Sequence, residues 1–118
     1  MIQGIGIDII EISRVTHLLE RQPRFPKRIL TERELQYYHS LSETRQVEYL
    51  SGRFAVKEAF AKAYGTGIGA ALSFQDIETA IDEKGKPFIT KPIQTGVHVS
   101  ITHSRAFAAA QVIIEKLK

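Results

Sequence analysis

The chain has 118 residues and no cysteine, with 43% hydrophobic and 25% charged residues and a formal net charge of +3. This length fits one domain, 1–118, able to fold alone yet small enough that a ligand cleft could be shared with a neighbouring subunit. The composition excludes disorder, and the missing cysteine excludes a disulfide framework, a thiolate metal site and a thiol nucleophile. A pI near 9.3 favours an acidic partner: nucleic acid, an anionic cofactor or an acidic protein. No apolar run approaches the ~20 residues of a membrane span, and the opening Met-Ile-Gln-Gly-Ile lacks the basic start of a signal peptide, so a cytosolic location is expected.

Residues 2–10 alternate, with Ile5, Ile7 and Ile9 on one face and Gly4, Gly6 and Asp8 on the other, which predicts a strand with a bare second face. Aspartate is depleted in strands. Asp8 therefore either caps the element that follows or serves as a hard-metal ligand, with the glycines leaving space on its face for something bulky. From Glu11 to about Arg21, Ile12, Val15, Leu18 and Leu19 fall at helical spacing with Arg14 and Arg21 opposite them, and Pro23 and Pro26 break that helix. Thr31-x-x-Glu34 has the form of a capping box opening a short helix to about His39.

The longest predicted helix runs from about Glu43 to Tyr64 and stops at Gly65. Candidate strands follow at 74–82 and 87–91, joined by a Gly85-Lys86-Pro87 turn, and a last hairpin pairs Val97-Val99-Ile101 with residues 107–114. Strand, then helices, then strands predicts an α+β fold, a mainly antiparallel sheet packed on one long helix and shorter helices.

On a helical wheel Val47, Leu50, Phe54, Glu58, Lys62 and Gly65 share a stripe, so a carboxylate and an ammonium continue an apolar seam. Tyr49, Val56 and Phe60 form a second apolar face, and Ala55, Ala59 and Ala63 leave a third side smooth. Arg53 and Lys57 lie between the first two faces and are adjacent on the surface, where both could reach one anion. Glu58 and Lys62 have the spacing of a helix-stabilising ion pair, but charges are rarely buried without a partner or metal. Three cations around one acid, followed by a glycine-rich loop, predict an anionic, phosphorylated ligand.

Gly6-Ile7-Asp8-Ile9-Ile10-Glu11-Ile12-Ser13-Arg14 and Arg53-Phe54-Ala55-Val56-Lys57-Glu58-Ala59-Phe60-Ala61-Lys62-Ala63-Tyr64-Gly65 resemble the two signature motifs of the phosphopantetheinyl transferases. The resemblance is to their short, single-domain carrier-protein synthase branch, and the closing His98-Val99-Ser100-Ile101-Thr102-His103-Ser104 extends it across the chain. It implies Mg²⁺-dependent transfer of 4′-phosphopantetheine from coenzyme A to a serine of apo acyl carrier protein, releasing adenosine 3′,5′-bisphosphate, in support of fatty acid biosynthesis. Asp8 and Glu58 would bind the metal against the coenzyme A pyrophosphate, with Lys62 beside the same phosphates. It further implies a homotrimer with coenzyme A in clefts between subunits, and a first helix that docks the acidic carrier protein through Arg14, Arg21 and Arg24, with Phe25 as an apolar neighbour.

The chemistry implied requires charge neutralisation, alignment and a proton acceptor, since a hydroxyl must attack phosphorus flanked by negative oxygens. Glu58, or a metal-bound water it polarises, is the candidate base, and Lys62 the candidate for stabilising transition-state or leaving-phosphate charge. The coenzyme A contacts expected are Arg53, Lys57, Lys62, Gly65 and His103. Two other classes stay open at this point: a basic RNA-binding module, for which only Tyr37-Tyr38 offers stacking, and an oligomer whose charged seam is an interface network. Neither nucleic acid nor membrane is the expected partner.

Overall fold

The computed structural model describes residues 1–116. In chain order it contains β1 (Ile2–Glu11), α1 (Ile12–Arg21), α2 (Phe25–Ile29), α3 (Glu32–His39), α4 (Glu43–Tyr64), a 3₁₀ turn at Phe74–Asp76, β2 (Glu78–Ile81), β3 (Pro87–Lys91), β4 (Val97–His103) and β5 (Phe107–Glu115). The α+β expectation holds. β1, β5 and β4 form an antiparallel sheet in that order, and β2 and β3 form a separate antiparallel hairpin. No helix among the described residues is long and apolar enough to cross a membrane.

Two elements differ from the sequence pattern for local reasons. Pro26 does not break structure but stands in the first turn of α2, where its missing N–H has no helical partner to lose. The strand predicted from 74 begins only at Glu78, because residues 74–76 curl into a 3₁₀ turn in which the Asp76 carboxylate accepts the Ser73 N–H at 2.8 Å. The capping box is present as predicted: Glu34 returns to the Thr31 N–H at 2.8 Å while the Thr31 hydroxyl accepts the Glu34 N–H at 3.4 Å. α4 ends at Gly65, whose φ of 98° is the left-handed conformation a side chain would resist.

The bare face of β1 meets α4, not a ligand, which corrects one expectation. A Cβ built on Gly4 would lie 1.9 Å from the Ala63 carbonyl oxygen, and one on Gly6 1.8 Å from that of Ala59. The alanine side of the helix is thus pressed directly onto the glycines. Ala55, Ala59, Phe60, Val112 and Ile114 fill the core on this side of the sheet. On its other side Ile5, Ile7 and Ile9 are 57%, 64% and 64% exposed, an apolar strip that the chain itself does not cover.

Candidate active site

Close seating of α4 on β1 brings Asp8 and Lys62 together. The Lys62 ammonium donates to Asp8 Oδ1 at 3.1 Å and to the Ile7 carbonyl at 2.9 Å. Glu58 lies one turn back on the helix, half-buried. Its pKa is raised by burial and then by the negative charge of Asp8, with Lys62 pulling the other way. Two carboxylates close enough to oppose each other's ionisation favour a cation beside them, and the half-exposed Lys62 ammonium pairs with only one of the two.

This donor set fits a hard divalent ion. Mg²⁺ takes oxygen ligands and is usually held by one or two carboxylates, with waters and substrate phosphates completing the shell. No group of three His, Cys, Asp or Glu suited to a metal occurs among the described residues, so a protein cage of the zinc or calcium kind is not built. Gly65 and Gly67 follow directly, both with positive φ, and no atom lies within 4 Å of where a Cβ on either would stand. Backbone is therefore open to close approach beside Lys62.

The remaining expected contacts divide. Arg53 and His103 line one cavity of about 360 Å³, with Arg45, Tyr49 and Gly52. Arg53 is held there from two sides: its guanidinium lies 4.3 Å from the Tyr49 ring centroid, and its Nε donates to Thr79 Oγ1 at 3.1 Å. Arg45 is absent from the expected site residues and Tyr49 figures there only in an apolar face, although Tyr49 stands at i,i+4 from Arg53, a spacing that could have paired them.

Lys57 requires a correction. Its side chain is fully buried, and its ammonium donates to Glu34 Oε1 at 2.6 Å, to the Ile29 carbonyl at 2.7 Å and to the Phe74 carbonyl at 3.1 Å. All three of its donors are used, so none remains for coenzyme A. Burial lowers its pKa, while the Glu34 charge and hydrogen bond oppose that shift. Arg53 and Lys57 do converge on one anion, but it is the protein's own Glu34, which Arg53 reaches through Thr79.

Of the residues expected to meet a carrier protein, Arg14, Arg21 and Arg24 are exposed. Arg14 and Arg21 flank a groove of about 380 Å³ along α1 with His17 and Leu18, and Arg24 lies by Lys27 and Arg28 on a second concave surface. Phe25 also departs from its expected place. It is only 8% exposed and packs on Phe54, ring centroids 6.2 Å apart, as part of the core.

Residues 4–113 match the family model described as the 4′-phosphopantetheinyl transferase superfamily. The chain is 64% identical to the holo-[acyl-carrier-protein] synthase of Bacillus pumilus, covering 99% of this chain and 98% of that protein. It is 60% identical, with the same coverage, to the holo-[acyl-carrier-protein] synthase of Bacillus subtilis. Among solved structures, a holo-(acyl-carrier-protein) synthase from Bacillus anthracis in complex with CoA (3′,5′-ADP) superposes with a TM-score of 0.92 at 49% identity, covering 99% of both chains. Helicobacter pylori holo-[acyl-carrier-protein] synthase in complex with coenzyme A gives 0.80 at 32% identity, covering 94% of this chain and 99% of that one. With the family model spanning nearly all of its residues and the two signature segments supplying its Asp8, Glu58 and Lys62 cluster, the chain belongs to the 4′-phosphopantetheinyl transferase superfamily.

Proposed function

We propose that the chain is a holo-acyl-carrier-protein synthase, transferring 4′-phosphopantetheine from coenzyme A to a serine hydroxyl of apo acyl carrier protein and so supporting fatty acid biosynthesis. The observation that carries this reading is the Asp8, Glu58 and Lys62 cluster beside an open glycine backbone, in a chain 64% identical to a protein named for that activity. In the reaction the serine oxygen bonds to the phosphorus bearing pantetheine, and the bond from that phosphorus to the bridging oxygen breaks. The bridging electrons leave on adenosine 3′,5′-bisphosphate, and the serine proton passes to a base.

Asp8 and Glu58 are the residues that would hold Mg²⁺. Bound there, the ion supplies charge neutralisation and alignment of the coenzyme A diphosphate. Glu58 is the candidate proton acceptor, the carboxylate that α4 places one turn from Lys62 and within the field of Asp8. The Lys62 ammonium, half exposed, is free to turn from Asp8 towards the phosphates and stabilise the leaving oxygen. Gly65 offers backbone approach on the same side, and His103 and Arg53 are the contacts for the other, nucleotide end.

A homotrimer with coenzyme A between subunits belongs to the same proposal. Asp8 stands on β1 and His103 on β4, the two opposite edges of the three-stranded sheet, with β5 between them. One ligand touching both ends would be met more readily by the β1 edge of one subunit and the β4 edge of another. The uncovered Ile5, Ile7 and Ile9 strip supplies apolar surface for such an assembly. Arg14, Arg21 and Arg24 are the proposed docking residues for an acidic carrier protein, and the setting is the cytosol.

Mixing the protein with coenzyme A, Mg²⁺ and several apo carrier proteins, then weighing the carriers by mass spectrometry, tests the reading. At least one carrier should gain phosphopantetheine only when Mg²⁺ is present. No gain on any carrier would overturn it, and salt-sensitive RNA binding without a metal requirement would favour the nucleic-acid alternative.

A further inference from the structure

A guanidinium carries five N–H donors, and in Arg53 only Nε has a protein partner among the described residues. No buried side-chain nitrogen or oxygen among those residues lacks a partner. The terminal nitrogens of Arg53 therefore keep some accessible surface, and the cavity that Arg53 lines is the one shared with Arg45 and His103. What aims them is a chain of buried groups. Thr79 Oγ1 donates its proton to Glu34 Oε2 at 2.7 Å, and that same carboxylate oxygen accepts the Thr79 N–H at 2.7 Å. The other oxygen of Glu34 is held by the Lys57 ammonium at 2.6 Å.

A hydroxyl has one hydrogen. With it committed to Glu34, Thr79 can offer Arg53 only lone pairs, which is what the Nε–H requires, and such ordered chains strengthen one another in a dry interior. Glu34 and Thr79 are 2% and 6% exposed, and neither lines the cavity that Arg53 shares with Arg45 and His103. We propose that Thr79, polarised by Glu34, is a positioning residue that fixes the Arg53 guanidinium so that its terminal nitrogens meet a phosphate of coenzyme A in this cavity. The inference rests on the reading of the cavity as part of the coenzyme A site.

The experiment compares coenzyme A binding by calorimetry, with Mg²⁺ present, in the wild type, Arg53→Ala, Thr79→Val, Thr79→Ser and the double variant R53A/T79V. Valine keeps the volume of Thr79 but removes the acceptor, so its affinity should fall about tenfold, the scale of a lost hydrogen bond to a charged group. Serine, which keeps the hydroxyl, should bind within about twofold of wild type. Against an Arg53→Ala background Thr79→Val should add almost nothing, a coupling that a purely structural role for Thr79 would not produce. If Arg53→Ala binds as tightly as wild type, the reading of the cavity fails. If Arg53→Ala weakens binding but Thr79→Val does not, or if the two losses simply add, the positioning role is overturned. Should Thr79→Val not fold, Thr79→Ala carries the same comparison.

Discussion

α4 carries two lysine-acid pairs within about one and a half turns, and they have opposite fates. Lys57 and Glu34 meet at 2.6 Å with side chains 0% and 1% exposed, while Lys62 and Asp8 meet at 3.1 Å with side chains 51% and 17% exposed. The first pair is sealed by further hydrogen bonds to Ile29, Phe74 and Thr79, drawing α2, α3, β2 and the 3₁₀ turn onto the helix. The second pair has slack: the acid beside it, Glu58, has no side-chain hydrogen bond or ion pair among the described residues, the ammonium is half exposed, and an open glycine loop adjoins it. The same chemistry serves as a staple where it is dry and complete, and as a reactive site where it is wet and unfinished.

Breaking the staple should have the largest effect. Lys57→Met leaves the Glu34 charge buried without its partner, and stability measured by denaturant unfolding should fall by about 3–5 kcal/mol. Next comes Glu58→Gln, which should lower phosphopantetheine transfer by about 10²–10³-fold while leaving the unfolding midpoint close to wild type. A large stability loss there, or near-normal transfer, would erase the contrast between the two pairs. Lys62→Ala should slow transfer by about tenfold but change stability by no more than about 1 kcal/mol, as for exposed ion pairs.

The smallest expected effect concerns Glu78, at the rim of the buried network. Burial would raise its pKa, but the Thr31 hydroxyl, Lys91, Thr90 and Arg33 together hold it below the ordinary 4.5. A depressed folded-state pKa contributes stability that is present above 4.5 and lost as pH falls through the folded value. The wild type should therefore exceed Glu78→Gln by about 1 kcal/mol near neutrality, and the gap should close in acid. A gap that widens with falling pH would reverse the assignment.

Much of the fold was legible because its signals are local. The limits of α4, its glycine stop and the Thr31-Glu34 box rest on periodicity and capping within a few residues. What stayed hidden is long-range. Nothing near Glu34 announces that its carboxylate, having capped α3, also receives Lys57 and Thr79 from elements far along the chain. Lys57 therefore looks like a surface cation, because i,i+4 adjacency to Arg53 is visible in the sequence and burial is not. Phe25 fails for the same reason: its neighbours Arg24 and Lys27 are exposed, yet its own ring points to Phe54. Asp8 and Glu58 were findable since a strand aspartate and an acid in an apolar stripe are each out of place, and the family motifs join them.

Elsewhere in proteins, a strand and a helix are separated by a cushion of side chains that can creep as rotamers change. Here the carbonyls of Ala59 and Ala63 rest on the α-carbons of Gly6 and Gly4, with no such cushion. The joint has no compliance: a small slide meets backbone, and the next equivalent seat is a full turn of about 5.4 Å away. The span between the α-carbons of an acid on the strand and an acid on the helix is therefore set by main-chain contact. Mutations that soften the core elsewhere can loosen the protein without retuning that span, whereas one added methyl at Gly6 would.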